Sequence, residues 1–227
     1  MVLVSIYMEE RTIIKEDEIT PKDRLTNILI NSKFIPSTFS FKNCCVGWVD
    51  IVDSTKITAK LNKSMVSPFY CLFLSQMSSI VEESGGVIIK NVGDSLLYYF
   101  PKTSSTSDRS SVVQAIECGI KIIGHHRILN SLMLEIGLPN VNYRVSLDYG
   151  EVIITKPGNS SKDDIFGPTV NLCAKINKMA APNTLVIGGD LYEIAKSFEG
   201  LRFESKSEYH NGLRLHYPVY SVAENKF

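Results

Sequence analysis

Two runs of strand-forming residues, 87–92 and 95–100, are separated by only two residues, Gly93 and Asp94. A glycine in so short a connection supplies the backbone conformation that a two-residue turn needs, so the spacing predicts an antiparallel hairpin. The rest of the chain reads as strand, helices, this hairpin, helix, strands, helix and strand, without the strict alternation of a doubly wound parallel sheet. We therefore expect an α/β (α+β) fold: a mixed β-sheet covered by helices on one face.

Length and composition limit the domain organisation and the partners. The 227 residues fit one domain, residues 43–227, preceded by an extension of unknown role, residues 1–42. Lys plus Arg and Asp plus Glu both number 24, so no basic field favours a nucleic-acid partner. The sequence shows neither an apolar run of membrane-spanning length nor a secretory signal, so we expect no membrane span and a cytoplasmic location. The five cysteines lack paired CxxC spacing and are expected to be buried reduced thiols.

Two aspartates stand where strands end. Asp50 closes the apolar run CCVGWVDIV, and Asp94 lies in the predicted hairpin turn. Two carboxylates brought together in apolar surroundings repel each other, and either protonation or a divalent cation relieves that repulsion. Their hard oxygen ligands suit Mg²⁺ or Mn²⁺. The alternative is that Asp50 is a helix-start residue and Asp94 only a turn residue.

Four segments resemble the motifs of class III adenylate and guanylate cyclases, in the order and at the spacing of that family. They are VDIVDST, GGVIIKNVGDSLLYYF, YRVSLDYGEV and DIFGPTVNLCAKINKMAAPNTLVIG, within residues 44–222. The resemblance implies the ferredoxin-like, palm-type mixed sheet of the class III cyclase fold. It also implies a lyase that forms a 3′,5′-cyclic nucleotide and pyrophosphate from a nucleoside triphosphate, with two Mg²⁺ or Mn²⁺ ions assisting the ribose 3′-hydroxyl.

The resemblance also assigns site residues. Asp50 and Asp94 match the metal-binding aspartates, with the backbone carbonyl of Ile51 as a further ligand, and Asn171 matches the asparagine that positions the ribose. In this family the active sites lie between two domains, each giving part of the residue set. One chain that carries both parts therefore implies a homodimer with active sites at its interface.

Lys90 and Asp164 match the pair that reads the base in the adenylate cyclases. A lysine only donates hydrogen bonds and an ionised aspartate only accepts them, which is complementary to N1 and N6 of adenine. Guanine presents the opposite polarity, whereas cytosine shares that of adenine. The pair thus favours ATP as substrate, argues against GTP, and leaves a pyrimidine triphosphate (CTP or UTP) as an alternative.

Two positions depart from the family pattern. Lys175 stands where most members have an arginine, which keeps the positive charge but loses the planar two-pronged donor. Near the C-terminus, Asn211-Gly212 replaces the usual Lys-Gly, and Arg214 is the candidate that binds the terminal phosphates in its place. These departures motivate the alternative of a degenerate cyclase-like domain that binds a nucleotide without turnover and reports it to a regulatory partner. His125 and His126 are expected on a solvated helix face, away from the chemistry.

Overall fold

A computed structural model describes residues 36–104, 109–157, 163–206, 209–210 and 216–225. The extension up to residue 35, and Arg214 with its neighbours 211–215, lie outside the described residues.

The described strands form one large mixed sheet and one small ribbon. The large sheet has the strand order β2-β3-β1-β4-β6-β10-β7, and β5 pairs with β4 beside this path. All neighbours run antiparallel except β4 and β6, which are parallel. The strands are β1 Pro36–Ile51, β2 Val87–Val92, β3 Ser95–Phe100, β4 Tyr143–Pro157, β5 Asp164–Phe166, β6 Leu185–Gly188, β7 Leu201–Ser205, β8 Tyr209–His210, β9 His216–Tyr217 and β10 Val219–Glu224. Strands β8 and β9 form the ribbon.

Helices cover both faces of the sheet. They are α1 Ser54–Thr58, α2 Lys63–Glu83, α3 Arg109–Gly124, α4 His126–Glu135, α5 Pro168–Asn177 and α6 Gly189–Ala195, with a 3₁₀ turn at Pro101–Ser104. The main core joins β1 residues such as Val49 to buried side chains of α2, α3, α4 and α6. On the opposite face, Val170 and Cys173 of α5 pack against Cys44 and Val46 of β1. The expected mixed sheet is confirmed, and α5 packs on the face that was expected to be bare.

The hairpin is confirmed where the sequence placed it. Strands β2 and β3 pair with Val92 opposite Ser95, and Gly93 takes a left-handed backbone with φ of 65°. In contrast, α2 begins at Lys63 and contains Pro68, which the sequence suggested as its start. The first strand begins at Pro36, so residues 36–42 of the expected extension pair with β4.

Two expectations for side chains need correction. His125 is half-buried and its ring lies 2.9 Å from the side-chain oxygen of Gln76, so it does not lie on a solvated face. Burial lowers the pKa of His125 below its ordinary value. Four of the cysteines are buried free thiols as expected, whereas Cys71 is exposed.

Among the described residues, α2 is the one helix whose length and apolar composition would allow it to cross a membrane. Core helices of soluble proteins meet the same criterion. Four of its side chains, Phe69, Phe73, Met77 and Val81, are fully buried in the main core.

Candidate functional site

The end of β1 carries Asp50 between two other strands. Asp50 lies opposite Ser95 of β3 and opposite Arg144 of β4. Ser95 Oγ donates to Asp50 Oδ1 at 2.7 Å, and the Arg144 guanidinium donates to Asp50 Oδ2 at 3.0 Å. The side chains of Asp50 and Arg144 are 19% and 21% exposed, so solvent screens this ion pair only in part. The carboxylate of Asp50 is therefore held in a fixed orientation.

Asp94 immediately precedes Ser95, so the pairing of β1 with β3 brings its backbone next to Asp50. Within the described part of the chain, the carboxylate of Asp94 makes no hydrogen bond or ion pair. Each oxygen of Asp50 accepts one hydrogen bond and retains a second lone pair. This donor set, two carboxylates at neighbouring strand ends, fits a hard divalent cation such as Mg²⁺. The described residues contain no cluster of three or more His, Cys, Asp or Glu side chains placed to hold a metal ion.

Lys90 and Asp164 meet although 74 residues separate them in the sequence. Lys90 Nζ lies 2.7 Å from Asp164 Oδ1 and 2.8 Å from Oδ2. The backbone N–H of Ile165 donates to Asp164 Oδ1 at 2.9 Å and fixes the carboxylate from the other side. The two side chains are 47% and 38% exposed, so their mutual attraction contributes at most about 1 kcal/mol. A ligand that offers equivalent partners can therefore separate them at little cost.

Helix α5 presents Asn171 and Lys175 to solvent, one helical turn apart. The opposite side of this helix holds it on the sheet. Asn177, which is buried, donates from its amide nitrogen to the carbonyl oxygens of Trp48 at 3.1 Å and Arg144 at 3.3 Å. Asn177 thus joins the helix that carries Asn171 and Lys175 to the two strands that hold Asp50.

Sequence reasoning missed three residues around this site: Arg144, Asn177 and Asp148. Arg144 and Asp148 lie in the YRVSLDYGEV segment, which was used only as a family motif. An acidic residue inside a predicted central strand was the available signal for Asp148, which is 1% exposed. The contacts of Arg144 and Asn177 reach across the sheet and have no local signal.

The buried carboxylate of Asp148 has an unusual environment. Tyr217 Oη donates to its oxygens at 2.9 and 3.0 Å, and the backbone N–H of Tyr149 donates to Oδ1 at 2.9 Å. None of the ion pairs among the described residues includes Asp148. Burial without a cation raises the pKa of Asp148 to about 7, despite hydrogen bonds that favour the charged form.

Residues 37–218 match the family profile described as the adenylate and guanylate cyclase catalytic domain. The chain belongs to this family. The cyclase domain has the fold of the adenylyl cyclase CyaB from P. aeruginosa, with a TM-score of 0.73 and 22% identity over 83% of this chain and 97% of that chain. It resembles the guanylyl cyclase Cya2 equally, with a TM-score of 0.73 and 20% identity over 82% and 93% of the two chains. The class III cyclase fold expected from the motifs is confirmed.

Curated relatives of the cyclase domain carry different substrate names. An adenylate cyclase of Glutamicibacter nicotianae is 24% identical over 62% of this chain and 29% of its own length. A cytidylate cyclase of Staphylococcus aureus is also 24% identical, over 76% of this chain and 43% of its own length. The chain thus spans about a third of the length of the first curated relatives it matches. It is a nucleotidyl cyclase catalytic domain, and its base specificity is a separate question.

Proposed function

We propose that this domain is an adenylate cyclase that converts ATP to 3′,5′-cyclic AMP and pyrophosphate. The observation that carries the proposal is the contact of Lys90 with Asp164, a cationic donor beside an anionic acceptor. Adenine presents an acceptor at N1 next to a donor at N6, so Lys90 and Asp164 can bind that edge simultaneously.

Guanine would place an acceptor and a donor in the reverse order. Lys90 and Asp164 would then each face a group of the wrong polarity, and a desolvated polar group without a partner costs about 1–3 kcal/mol. The proposal therefore predicts that GTP is discriminated against by its base.

Asp50, Asp94 and the carbonyl of Ile51 would hold Mg²⁺ or Mn²⁺, and the carboxylates have lone pairs for this purpose. Two such ions, when bound, supply Lewis-acid stabilisation of the triphosphate and lower the pKa of the ribose 3′-hydroxyl. The role of Arg144 and Ser95 in this proposal is to fix the orientation of the Asp50 carboxylate.

Asn171 would position the ribose, and Lys175 would place positive charge near the reacting phosphate. Both lie on the exposed side of α5, where a nucleotide can reach them. Lysine offers a single charged group rather than the planar fork of arginine, so we expect slower turnover than an arginine at this position would give. Arg214 is proposed to bind the terminal phosphates.

A cytidylate cyclase is the second candidate. Cytosine offers an acceptor at N3 and a donor at N4, so Lys90 and Asp164 suit it by polarity as they suit adenine. The similarity to the Staphylococcus aureus cytidylate cyclase favours testing CTP on equal terms.

Incubation of the purified protein with ATP, CTP, GTP and UTP, each with Mn²⁺ and with Mg²⁺, tests the function directly. We expect cyclic AMP as the main product, and a loss of at least about 100-fold in kcat for Asp94→Asn. Asp53→Asn is the matched control, because Asp53 is exposed and pairs with Lys56. Cyclic CMP as the main product would select the second candidate.

A degenerate binding domain would behave differently. A dimer that binds ATP tightly, forms no cyclic product from any triphosphate, and binds equally well after Asp94→Asn would contradict the cyclase proposal. Calorimetry of ATP binding with and without Mn²⁺ makes this distinction.

A further inference from the structure

Asp148 lies where strand β4, the first turn of α6 and the segment that carries Tyr217 meet. It lies on the central strand β4, opposite Val46 of β1. The backbone N–H of Leu191, in the first turn of α6, acts on the same carboxylate and lowers its pKa in part. Tyr217, which donates to the same carboxylate, accepts from the backbone N–H of Asp190 at 3.1 Å.

The carboxylate of Asp148 and the ring of Pro218 lie so close to Gly188 and Gly189 that neither position has space for a side chain. A Cβ atom added to Gly188 would lie 2.4 Å from Asp148 Oδ1, and one added to Gly189 would lie 2.6 Å from the ring of Pro218. Two consecutive glycines thus allow the carboxylate and the segment Tyr217–Pro218 to pack closely on the start of α6.

Tyr217 connects this cluster to the helix that carries the proposed substrate residues. Its ring packs against the small hydrophobic cluster that contains Ile176 of α5, Val186 of β6 and Val219 of β10. The thiol of Cys173 of α5 also donates to the carbonyl oxygen of Ser146, two residues before Asp148 on β4, at 3.6 Å. A change in the bond between Asp148 and Tyr217 therefore acts on the packing of α5, which carries Asn171 and Lys175.

Protonation of Asp148 would change this bond in a definite way. The ionised carboxylate only accepts, so the hydroxyl of Tyr217 donates to it while accepting from Asp190 N–H. That charge is buried without a cation, and the hydrogen bonds from Tyr217 and Tyr149 replace its lost hydration only in part. Protonation removes this cost, so the close packing around Tyr217 is more stable when Asp148 is neutral, and ionisation favours looser packing that admits water.

We propose that Asp148 and Tyr217 form a positioning pair that docks α5 firmly on the sheet when Asp148 is protonated and less firmly when it is ionised. The consequence for turnover rests on the cyclase activity proposed above, whereas the consequence for α5 does not. Asp148 and Tyr217 are not catalytic residues in this proposal, because they act on the substrate only through α5.

The titratable groups that face Asp148 are Asp190, Cys45, Cys173 and Tyr217. Burial raises the pKa of Asp148 to about 7, and the charge of Asp190 on α6 adds to this rise. Burial raises the pKa of the thiols of Cys45 on β1 and Cys173 on α5, and that of Tyr217, well above neutrality. These three groups remain protonated while Asp148 changes its charge.

The fluorescence of Trp48 tests the effect on α5 without any substrate. Trp48 is the only tryptophan in the chain, and its carbonyl oxygen accepts from Asn177 of α5. We expect its emission in the free protein to change in one step near pH 7, and Asp148→Asn and Tyr217→Phe each to remove the step. The control is Glu193→Gln, which should keep the step. Glu193 lies on the same helix α6 but is exposed and pairs with Lys196. A step that persists in Asp148→Asn overturns the proposal.

The pH dependence of kcat and KM tests the effect on turnover. The wild-type kcat for ATP should fall about five-fold as the pH rises across the step, with KM nearly unchanged, and both variants should lose this fall. The double variant should be no slower than the slower single variant, because the two residues act as one contact. A uniform decrease in kcat at every pH, with the step retained, would show a merely structural role. If no triphosphate is turned over while the Trp48 step behaves as expected, the cyclase proposal fails and the positioning pair stands.

Discussion

The hydroxyl of Tyr98 is fully buried without a hydrogen-bond partner in the described part of the structure. Its ring occupies the space where Gly47, opposite it on β1, has no side chain: a Cβ atom there would lie 2.1 Å from the ring. A buried hydroxyl without a partner costs about 1–3 kcal/mol, so we expect Tyr98→Phe to raise the free energy of unfolding by about 1 kcal/mol. Urea denaturation measures this change.

Tyr143 provides the matched control for Tyr98→Phe. Its hydroxyl is also buried, but it donates to the carbonyl oxygen of Ile122 at 2.7 Å. We expect Tyr143→Phe to lower the free energy of unfolding by about 1 kcal/mol, because it removes a buried hydrogen bond. Equal effects of the two substitutions would show that the Tyr98 hydroxyl has a partner after all.

Asp148 should make stability depend on pH. Its folded pKa of about 7 lies above the ordinary value of 3.8, so folding favours the protonated carboxyl. The penalty is absent below about pH 4, grows as pH rises towards 7, and is constant above that, at about 4 kcal/mol. The Asp148→Asn variant has no ionisable group at this position, so its stability relative to wild type should increase over this range. Chemical denaturation between about pH 4 and 8 checks it, and parallel pH profiles for both proteins would contradict it.

The turn between β1 and α1 depends on an unusual backbone conformation. Asp53 has φ of 56° and ψ of 28°, the left-handed region that aspartate tolerates and β-branched residues avoid. Its ion pair with Lys56 is exposed and contributes little. We expect Asp53→Val to lower the free energy of unfolding by about 1–2 kcal/mol, and Asp53→Gly to change it by less than about 0.5 kcal/mol. Lys56→Ala should match Asp53→Gly, and urea denaturation of the three variants separates strain from charge.

Elements with a local signal were predicted well, and elements fixed by distant contacts were not. The β2–β3 hairpin was predicted from Gly93, because a two-residue turn of this kind requires a positive φ, which Gly93 adopts. The start of α2 was misplaced because Pro68 is common at helix starts, yet here the helix begins five residues earlier. The early start of β1 at Pro36 depends on pairing with β4, more than a hundred residues away. No local pattern indicates it.

At the scale of the molecule, the resemblance assigned roles to residues but not the contacts that hold them. Lys90 and Asp164, assigned together to base reading, lie in contact, and that role stays a prediction. Asp50 was predicted as a metal ligand, but its bond to Arg144 comes from the register of β1 with β4, which motif spacing does not encode. The buried pair of Asp148 and Tyr217 was missed for the same reason, since 69 residues separate its members.

The whole-molecule arrangement that we propose is a homodimer in which each active site takes residues from both protomers. Asp94 of one protomer would then work with Asn171 of the other. Mixing Asp94→Asn with Asn171→Ala protein should restore about a quarter of wild-type activity, because half of the randomly formed dimers contain one intact site out of two.

Mixing Asp50→Asn with Asp94→Asn is the control that separates this arrangement from simple rescue by concentration. Both substitutions damage the same half of the site, so every site in every mixed dimer lacks one aspartate and activity should stay at the level of the single variants. No recovery in the first mixture, when mass measurement shows that mixed dimers have formed, would mean that a single protomer supplies the complete site. Recovery in the control mixture would mean that Asp50 and Asp94 of one site come from different protomers. Since Lys90 and Asp164 meet within one protomer, the nucleotide would in the proposed dimer bind its base to one chain and its metals to the other. Dilution below the dimer dissociation constant should then abolish turnover before it unfolds the protein.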